Sequence, residues 1–262
     1  MPPPDADPQQ ADDRIVSTAP VTAHVAVVEL RRPPNNFFSV AMITAVADAF
    51  EALDSDDECR AIVLCADGKH FCAGADFSSS GTDSTADLYA AAGRLFRTRK
   101  PIVAAVQGAA IGGGLGLALA ADFRVVAPEA RLSANFARLG FHQGFGLSVT
   151  LPRLVGHQRA AELLYTGRRV DGDEAMAMGL ADRLVPLAEV RDASFAFAAD
   201  IAASAPLAVE SIRATLRGDL AAQVAAATDH EMAEQLRLRR TADFAEGAKA
   251  MNERRTPRFT RS

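Results

Sequence analysis

Lysine is almost missing from this chain: Lys69, Lys100 and Lys249 are the only three, and arginine carries nearly all the positive charge. No block of basic residues stands out, and the formal net charge is −5. Both features make nucleic acid and anionic membrane poor partners. No run of about 18 apolar residues is found, so no membrane-spanning helix is expected. Cysteine is limited to Cys59, Cys65 and Cys72, an odd set crowded into one short stretch. No Cys-x-x-Cys pair and no His/Cys cluster at metal-ligand spacing occurs. Free, buried thiols in a reducing cytoplasmic setting are the expectation, with no metal. The segment Met1 to Asp13 is acidic and Pro-rich and lacks the basic start and apolar stretch of a signal peptide. Residues 1–20 are therefore expected to form a disordered tail.

Apolar residues make up 49% of the sequence, enough for one large domain with a helical appendage. His24 to Leu30, Arg60 to Cys65, Pro101 to Val106 and Phe123 to Ala127 read as strands. After Ser39, a candidate N-cap, Val40, Ile43, Ala47, Phe50 and Leu53 form one helical stripe. Asp87 to Arg97 and the small-residue run Gly114 to Ala121 predict further helices. This alternation predicts an α/β fold of βα repeats on a largely parallel sheet. From about Gly156 the pattern turns helical: His157 to Thr166, Gly172 to Met178 and most of Ala188 to Asn252. The expected division is a core over 21–195 and a helical region over 196–262.

Two glycine-bearing turns each follow an apolar run. The first is His70-Phe71-Cys72-Ala73-Gly74-Ala75-Asp76-Phe77; the second is Gly108-Ala109-Ala110-Ile111-Gly112-Gly113-Gly114-Leu115-Gly116. Each could aim a backbone N–H at a common point. A pair of such donors is an oxyanion hole, which stabilises negative charge developing on a carbonyl or thioester oxygen. A dinucleotide-binding turn is the rival reading of the second segment. The glycine spacing does not satisfy Gly-x-Gly-x-x-Gly, and no acidic residue follows at a strand end about 20 residues on.

With these segments the chain resembles the crotonase (enoyl-CoA hydratase/isomerase) family. Arg60 to Phe77 resembles the family's first signature, and Pro101 to Gly114 with Ala121-Asp122-Phe123-Arg124 resembles the second. Leu154 to Gly167, Ala175 to Asp182 and Glu246 to Phe259 extend the resemblance to the C-terminal helix. It implies a crotonase-like ββα spiral core with a C-terminal helical region that forms homotrimers or a dimer of trimers. It implies an acyl-CoA thioester as the bound partner, with coenzyme A as part of the substrate and no separate cofactor. The thioester oxygen would sit between the N–H groups of Ala75 and Gly113. Ala73 and Phe77 would line the channel near the adenine and pantetheine, and Asp76 would hold the next segment through backbone N–H groups. Arg254 falls where the family places a basic residue near the CoA phosphates.

The resemblance also shows what this chain lacks. Family hydratases carry a glutamate two residues after the glycine triplet, where this chain has Gly116. Their second glutamate falls at Phe136, and an acid used by other members falls at Gly144. Positioned proton transfer is worth about 10²- to 10⁴-fold, so efficient hydration is not expected, and Phe136 makes that side of the pocket apolar. His142, on the loop that usually brings the second acid to the substrate, is the candidate replacement acid or base. Asn135 and Gln143 could orient a polar acyl group. Lys69 and His70 are expected to be exposed, Cys72 to be a buried strand thiol, Ser78 to Ser80 to form a lid, and Asp229, His230 and Glu231 to lie on a solvated helix face. The reading is an acyl-CoA-binding member that uses the hole for enolate stabilisation. The alternatives are a non-catalytic acyl-CoA-binding protein of the same fold, or a hydrolase or isomerase of that fold using His142.

Overall fold

The strands among the described residues are β1 (Val16–Thr22), β2 (Val25–Leu30), β3 (Ala61–Ala66), β4 (Ile102–Val106), β5 (Ala109–Ile111), β6 (Phe123–Val126), β7 (Arg131–Ser133) and β8 (Arg183–Leu184), with β2, β3, β4 and β6 on the apolar runs. The helices are α1 (Val40–Asp54), α2 (Thr85–Leu95), α3 (Gly113–Ala120), α4 (Leu147–Val155), α5 (His157–Thr166), α6 (Gly172–Met178), α7 (Val190–Ala202), α8 (Pro206–Arg217), α9 (Leu220–Leu238) and α10 (Ala242–Asn252). A 3-10 turn covers Asn135–Leu139. The computed structural model describes residues 16–75 and 85–262. The tail up to residue 15, Asp76, Phe77 and the serine-rich stretch 78–84 lie outside the described residues.

The main sheet has the order β1-β2-β3-β4-β6-β8, parallel except for β1, which runs antiparallel to β2. Strands β3 and β4 are buried at every residue, as the continuous apolar runs of a sheet covered on both faces require. Their side chains alternate between two layers. Val25, Val63, Val103, Ala105 and Val125 pack against α7, while Val28, Ile62, Leu64, Ala104 and Val106 join the larger core on the other side. Ser39 caps α1 by accepting from the Met42 N–H at 3.2 Å, and Ile43, Ala47, Phe50 and Leu53 are buried as the stripe predicts.

Two expectations are corrected. Residues 16–20 are not tail: Val16 pairs with Leu30 and Thr22 with Val25, closing a hairpin on the sheet edge. The expected division at 195/196 falls inside α7, a continuous helix that covers one sheet face, so α7 belongs to the core. The helices after it dock on their own chain. Asp122 accepts from Arg213 of α8 at 2.8 Å and from Arg217 at 2.7 Å, α9 packs on α2 and α4, and α10 packs on the 3-10 turn. Among the described residues no single helix is long and apolar enough to cross a membrane.

The repeat is ββα. Strand β4 leads to β5 and α3, and β6 leads to β7 and then α4. Strands β5 and β7 pair in parallel in a second, small sheet. Cys72, which follows β3 and precedes α2, joins the same layer by pairing in parallel with Ala110. One turn of the spiral therefore lies beside the next.

Candidate active site

That pairing decides where the two glycine turns sit. Cys72 lies opposite Ala110 in a parallel bridge, and Ala75 and Gly113 each lie three residues further along. They occupy equivalent positions on adjacent turns of the spiral. The bridge is fixed by Cys72 N–H to Ala109 O at 3.0 Å and Ile111 N–H to Cys72 O at 3.0 Å. Close approach is essential: a Cβ on Gly114 would fall 2.2 Å from the Cys72 carbonyl oxygen. Neighbouring N–H groups are committed, Ala73 to Asn35 O at 2.9 Å and Gly112 to Ser133 O at 2.8 Å. Among the described residues the N–H groups of Ala75 and Gly113 have no protein acceptor. Gly113 is buried, where paired backbone groups are the rule, so its uncommitted donor and that of Ala75 at the equivalent position are open to an outside acceptor. Gly113 also opens α3, whose N-terminal dipole adds positive potential there.

Both turns face one cavity of about 420 Å³. Ala73, Gly74, Ala75, Gly112 and Gly113 form its backbone wall. Phe37, Phe38, Phe136, Phe141 and Phe145 line it with apolar rings. No carboxylate lines the cavity among the described residues. At the positions where the resemblance implies acids, neighbouring side chains fill the space. A Cβ on Gly116 would meet Phe145 at 2.6 Å, and a Cβ on Gly144 would meet the Tyr89 hydroxyl at 2.0 Å and Gln235 Nε2 at 2.6 Å. Phe136 lines the cavity as expected and stacks near Phe141, with ring centroids 6.5 Å apart.

The polar groups on the far wall come from helices distant in sequence. Tyr89 of α2 is buried. Burial raises the pKa of its hydroxyl above the ordinary value, and the Glu231 carboxylate pushes the same way, so the hydroxyl stays neutral. Gln235 of α9 donates to the His142 carbonyl at 2.9 Å and also lines the cavity. Arg239, one helical turn on, caps α9 and lies over the Phe141 ring, 5.3 Å from its centroid. Asn135 faces the cavity beside Gly112. Tyr89, Gln235 and Arg239 carry no sequence signal of a site: Tyr89 sits within a short helical stripe, and the other two lie in a long helix of mixed composition.

His142 is not brought to this site. Its ring Nδ1 lies 2.8 Å from the Gln143 carbonyl, its ring meets His230 edge-on at 5.7 Å, and it does not line the cavity. The loop carrying it is pinned by α9 through its own backbone, which turns the imidazole outward. Gln143 bonds to Ser148 at 3.1 Å and is likewise off the cavity. Arg254 is exposed just beyond α10, while Met251 and Asn252 of that helix do line the cavity. His70 departs from the expected exposure: it is half-buried, its Nδ1 accepts from the Ala109 N–H at 3.2 Å, and burial lowers its pKa. Glu231 is the clearest reversal. It is fully buried, and its carboxylate accepts from the N–H groups of Gly146 at 2.9 Å and Ser148 at 3.0 Å. It thereby caps the start of α4 and fixes the loop that delivers Phe145. The Cys72 thiol is buried, and burial pushes it up to about 12, so it is no nucleophile. Among the described residues no group of three or more His, Cys, Asp or Glu could hold a metal ion.

A family model described as enoyl-CoA hydratase/isomerase matches residues 21–262. A putative enoyl-CoA hydratase of Thermus thermophilus is 38% identical over 250 residues, covering 90% of this chain and 97% of that protein. The probable enoyl-CoA hydratase EchA12 of Mycobacterium tuberculosis is 37% identical over 258 residues, covering 90% of this chain and 89% of that protein. Among solved structures, an enoyl-CoA hydratase/isomerase from Pseudoalteromonas atlantica superposes with a TM-score of 0.83 at 30% identity, covering 94% of this chain and all of that one.

Proposed function

This chain belongs to the enoyl-CoA hydratase/isomerase family, and from that premise we propose that it binds an acyl-CoA thioester and stabilises its enolate without adding water efficiently. The observation that carries the reading is a cavity with two uncommitted backbone donors on one wall and, among the described residues, no carboxylate on any other. The thioester oxygen sits between the N–H groups of Ala75 and Gly113. Charge moves onto that oxygen as the α-carbon loses a proton and leaves it as the α-carbon regains one, and each donor contributes about 3–4 kcal/mol to holding it. Phe136 and Phe145 keep water away from the acyl carbons. That strengthens the two hydrogen bonds and leaves a nucleophilic water with no partner to activate it.

The nucleotide end leaves past Ala73. A second cleft shares Ala73, Ile111, Asn135 and Met251 with the cavity and is lined by Arg131, Arg138 and Arg169. None of the three is in an ion pair among the described residues, and together with Arg254 they offer fixed positive charge to the CoA phosphates. Assembly as a homotrimer or dimer of trimers belongs to the same proposal. A second reading, acyl-CoA binding without turnover, is favoured by one observation: among the described residues the cavity is lined by no carboxylate and no histidine, and its Tyr89 hydroxyl is held neutral. Steady-state assay of crotonyl-CoA hydration is expected to give a rate at or near background, while calorimetry with acetyl-, crotonyl- and longer acyl-CoAs gives heat. Hydration at the rate of an ordinary hydratase would sink the first part, and no heat with any thioester would sink the second.

A further inference from the structure

Tyr89, Gln235 and Arg239 form a polar corner in a cavity that is otherwise apolar. Gln235 and Arg239 lie four residues apart on α9 and so share one face of the helix, and both line the cavity together with Tyr89. The Tyr89 hydroxyl and Gln235 Nε2 converge on Gly144, within 2.0 and 2.6 Å of where a Cβ would stand there. The glycine is what leaves room for them. The Arg239 guanidinium has no carboxylate partner among the described residues. Its neighbour Arg237 does, pairing with Glu234 at 2.6 Å. Arg239 is instead laid over Phe141, a cavity-lining ring. Its charge reaches Tyr89, where it acts against the effect of burial.

A cation, a neutral hydroxyl donor and an amide donor on the same wall, with no acidic group lining the cavity among the described residues, make a receptor for an anion. An apolar acyl chain gains nothing from such a corner and strips water from its donors. We propose that the acyl group this protein selects carries a carboxylate at its far end, received by Arg239 with Tyr89 and Gln235 as hydrogen-bond donors. The inference rests on the acyl-CoA reading above and adds the class of acyl group. It gives the missing acids a second consequence: a carboxylate at 144 would face the substrate's own carboxylate, like charge against like.

The test is calorimetric titration of the full chain with two thioesters of equal carbon number, glutaryl-CoA and pentanoyl-CoA. Glutaryl-CoA is expected to bind at least about fivefold more tightly at low ionic strength, a ratio within reach of one partly exposed ion pair and two hydrogen bonds. In Arg239→Gln the ratio is expected to fall to within about twofold of unity, and in Tyr89→Phe to fall by part of that amount. Circular dichroism melts of both variants confirm that they fold. Pentanoyl-CoA binding as tightly as glutaryl-CoA, or a ratio unchanged in Arg239→Gln, overturns this inference alone. Failure of both thioesters to bind overturns the acyl-CoA reading and this inference with it.

Discussion

The two walls of the cavity are built in opposite ways. One is backbone: Cys72 to Ala75 and Ala110 to Gly113 lie side by side because one strand bridge sets their register. The other is side chain: Tyr89, Phe145, Gln235 and Arg239 arrive from α2, the loop before α4, and α9. A backbone wall tolerates almost no change in shape, because its atoms are the sheet itself. A side-chain wall can be rewritten residue by residue while the helices stay in place. The spaces beside Gly116 and Gly144, taken up by Phe145, Tyr89 and Gln235, belong to the second wall.

The largest effect should come from the backbone wall. Gly114→Ala drives a methyl into the Cys72 carbonyl, which cannot yield without moving the small sheet. A loss of about 3 kcal/mol or more in unfolding free energy is expected by urea denaturation. A melt identical to that of the unaltered chain would show that the walls do not differ in rigidity. Glu231→Ala tests the support of the other wall: two backbone N–H groups lose a buried charged acceptor, for a loss of about 2–3 kcal/mol. Proteolysis within 140–148 should quicken in the same variant, because the loop carrying Phe145 comes loose. Unchanged cleavage there would detach Glu231 from the site.

A smaller effect lies in the sheet behind the backbone wall. Glu29 is nearly buried on β2; burial opposes its ionisation, but hydrogen bonds from Arg31 and Arg191 outweigh that and hold its carboxyl below the ordinary range. A depressed carboxyl stabilises the fold fully above the ordinary pKa near 4.5 and loses that contribution as pH falls below it. Glu29→Gln should therefore cost about 1–2 kcal/mol at pH 7 and flatten the decline below pH 4.5, read from melts across pH 3 to 7. An equally steep acid decline in the variant would assign the sensitivity elsewhere. The smallest effect is expected for Gly116→Glu on catalysis. Phe145 blocks the Cβ, so the substitution should destabilise the chain without creating measurable crotonyl-CoA hydration. Hydration that rises tenfold or more would show the side-chain wall to be softer than argued here.

Much of this was legible in the residues. The strands were readable because a sheet buried on both faces needs unbroken apolar runs, and the two turns because each places a glycine just past such a run. Misreadings share one cause. Val16–Thr22 has no apolar alternation of its own and becomes a strand only because β2 offers it an edge. The place of His142 in the chain points to the site, yet its backbone carbonyl is held by Gln235, 93 residues away. Glu231 looked solvated beside Asp229 and His230, which are exposed, but its face of α9 meets two orphan N–H groups at the start of α4.

The sequence by itself determined an α/β fold on a largely parallel sheet and the two glycine turns, because strand, turn and helix signals are local. It also determined that Gly116, Phe136 and Gly144 supply no acid. Only the tertiary structure decided what stands in their place. Which side chain enters a gap left by a glycine depends on how α2 and α9 pack over the sheet, and that packing is the sum of contacts between residues far apart along the chain.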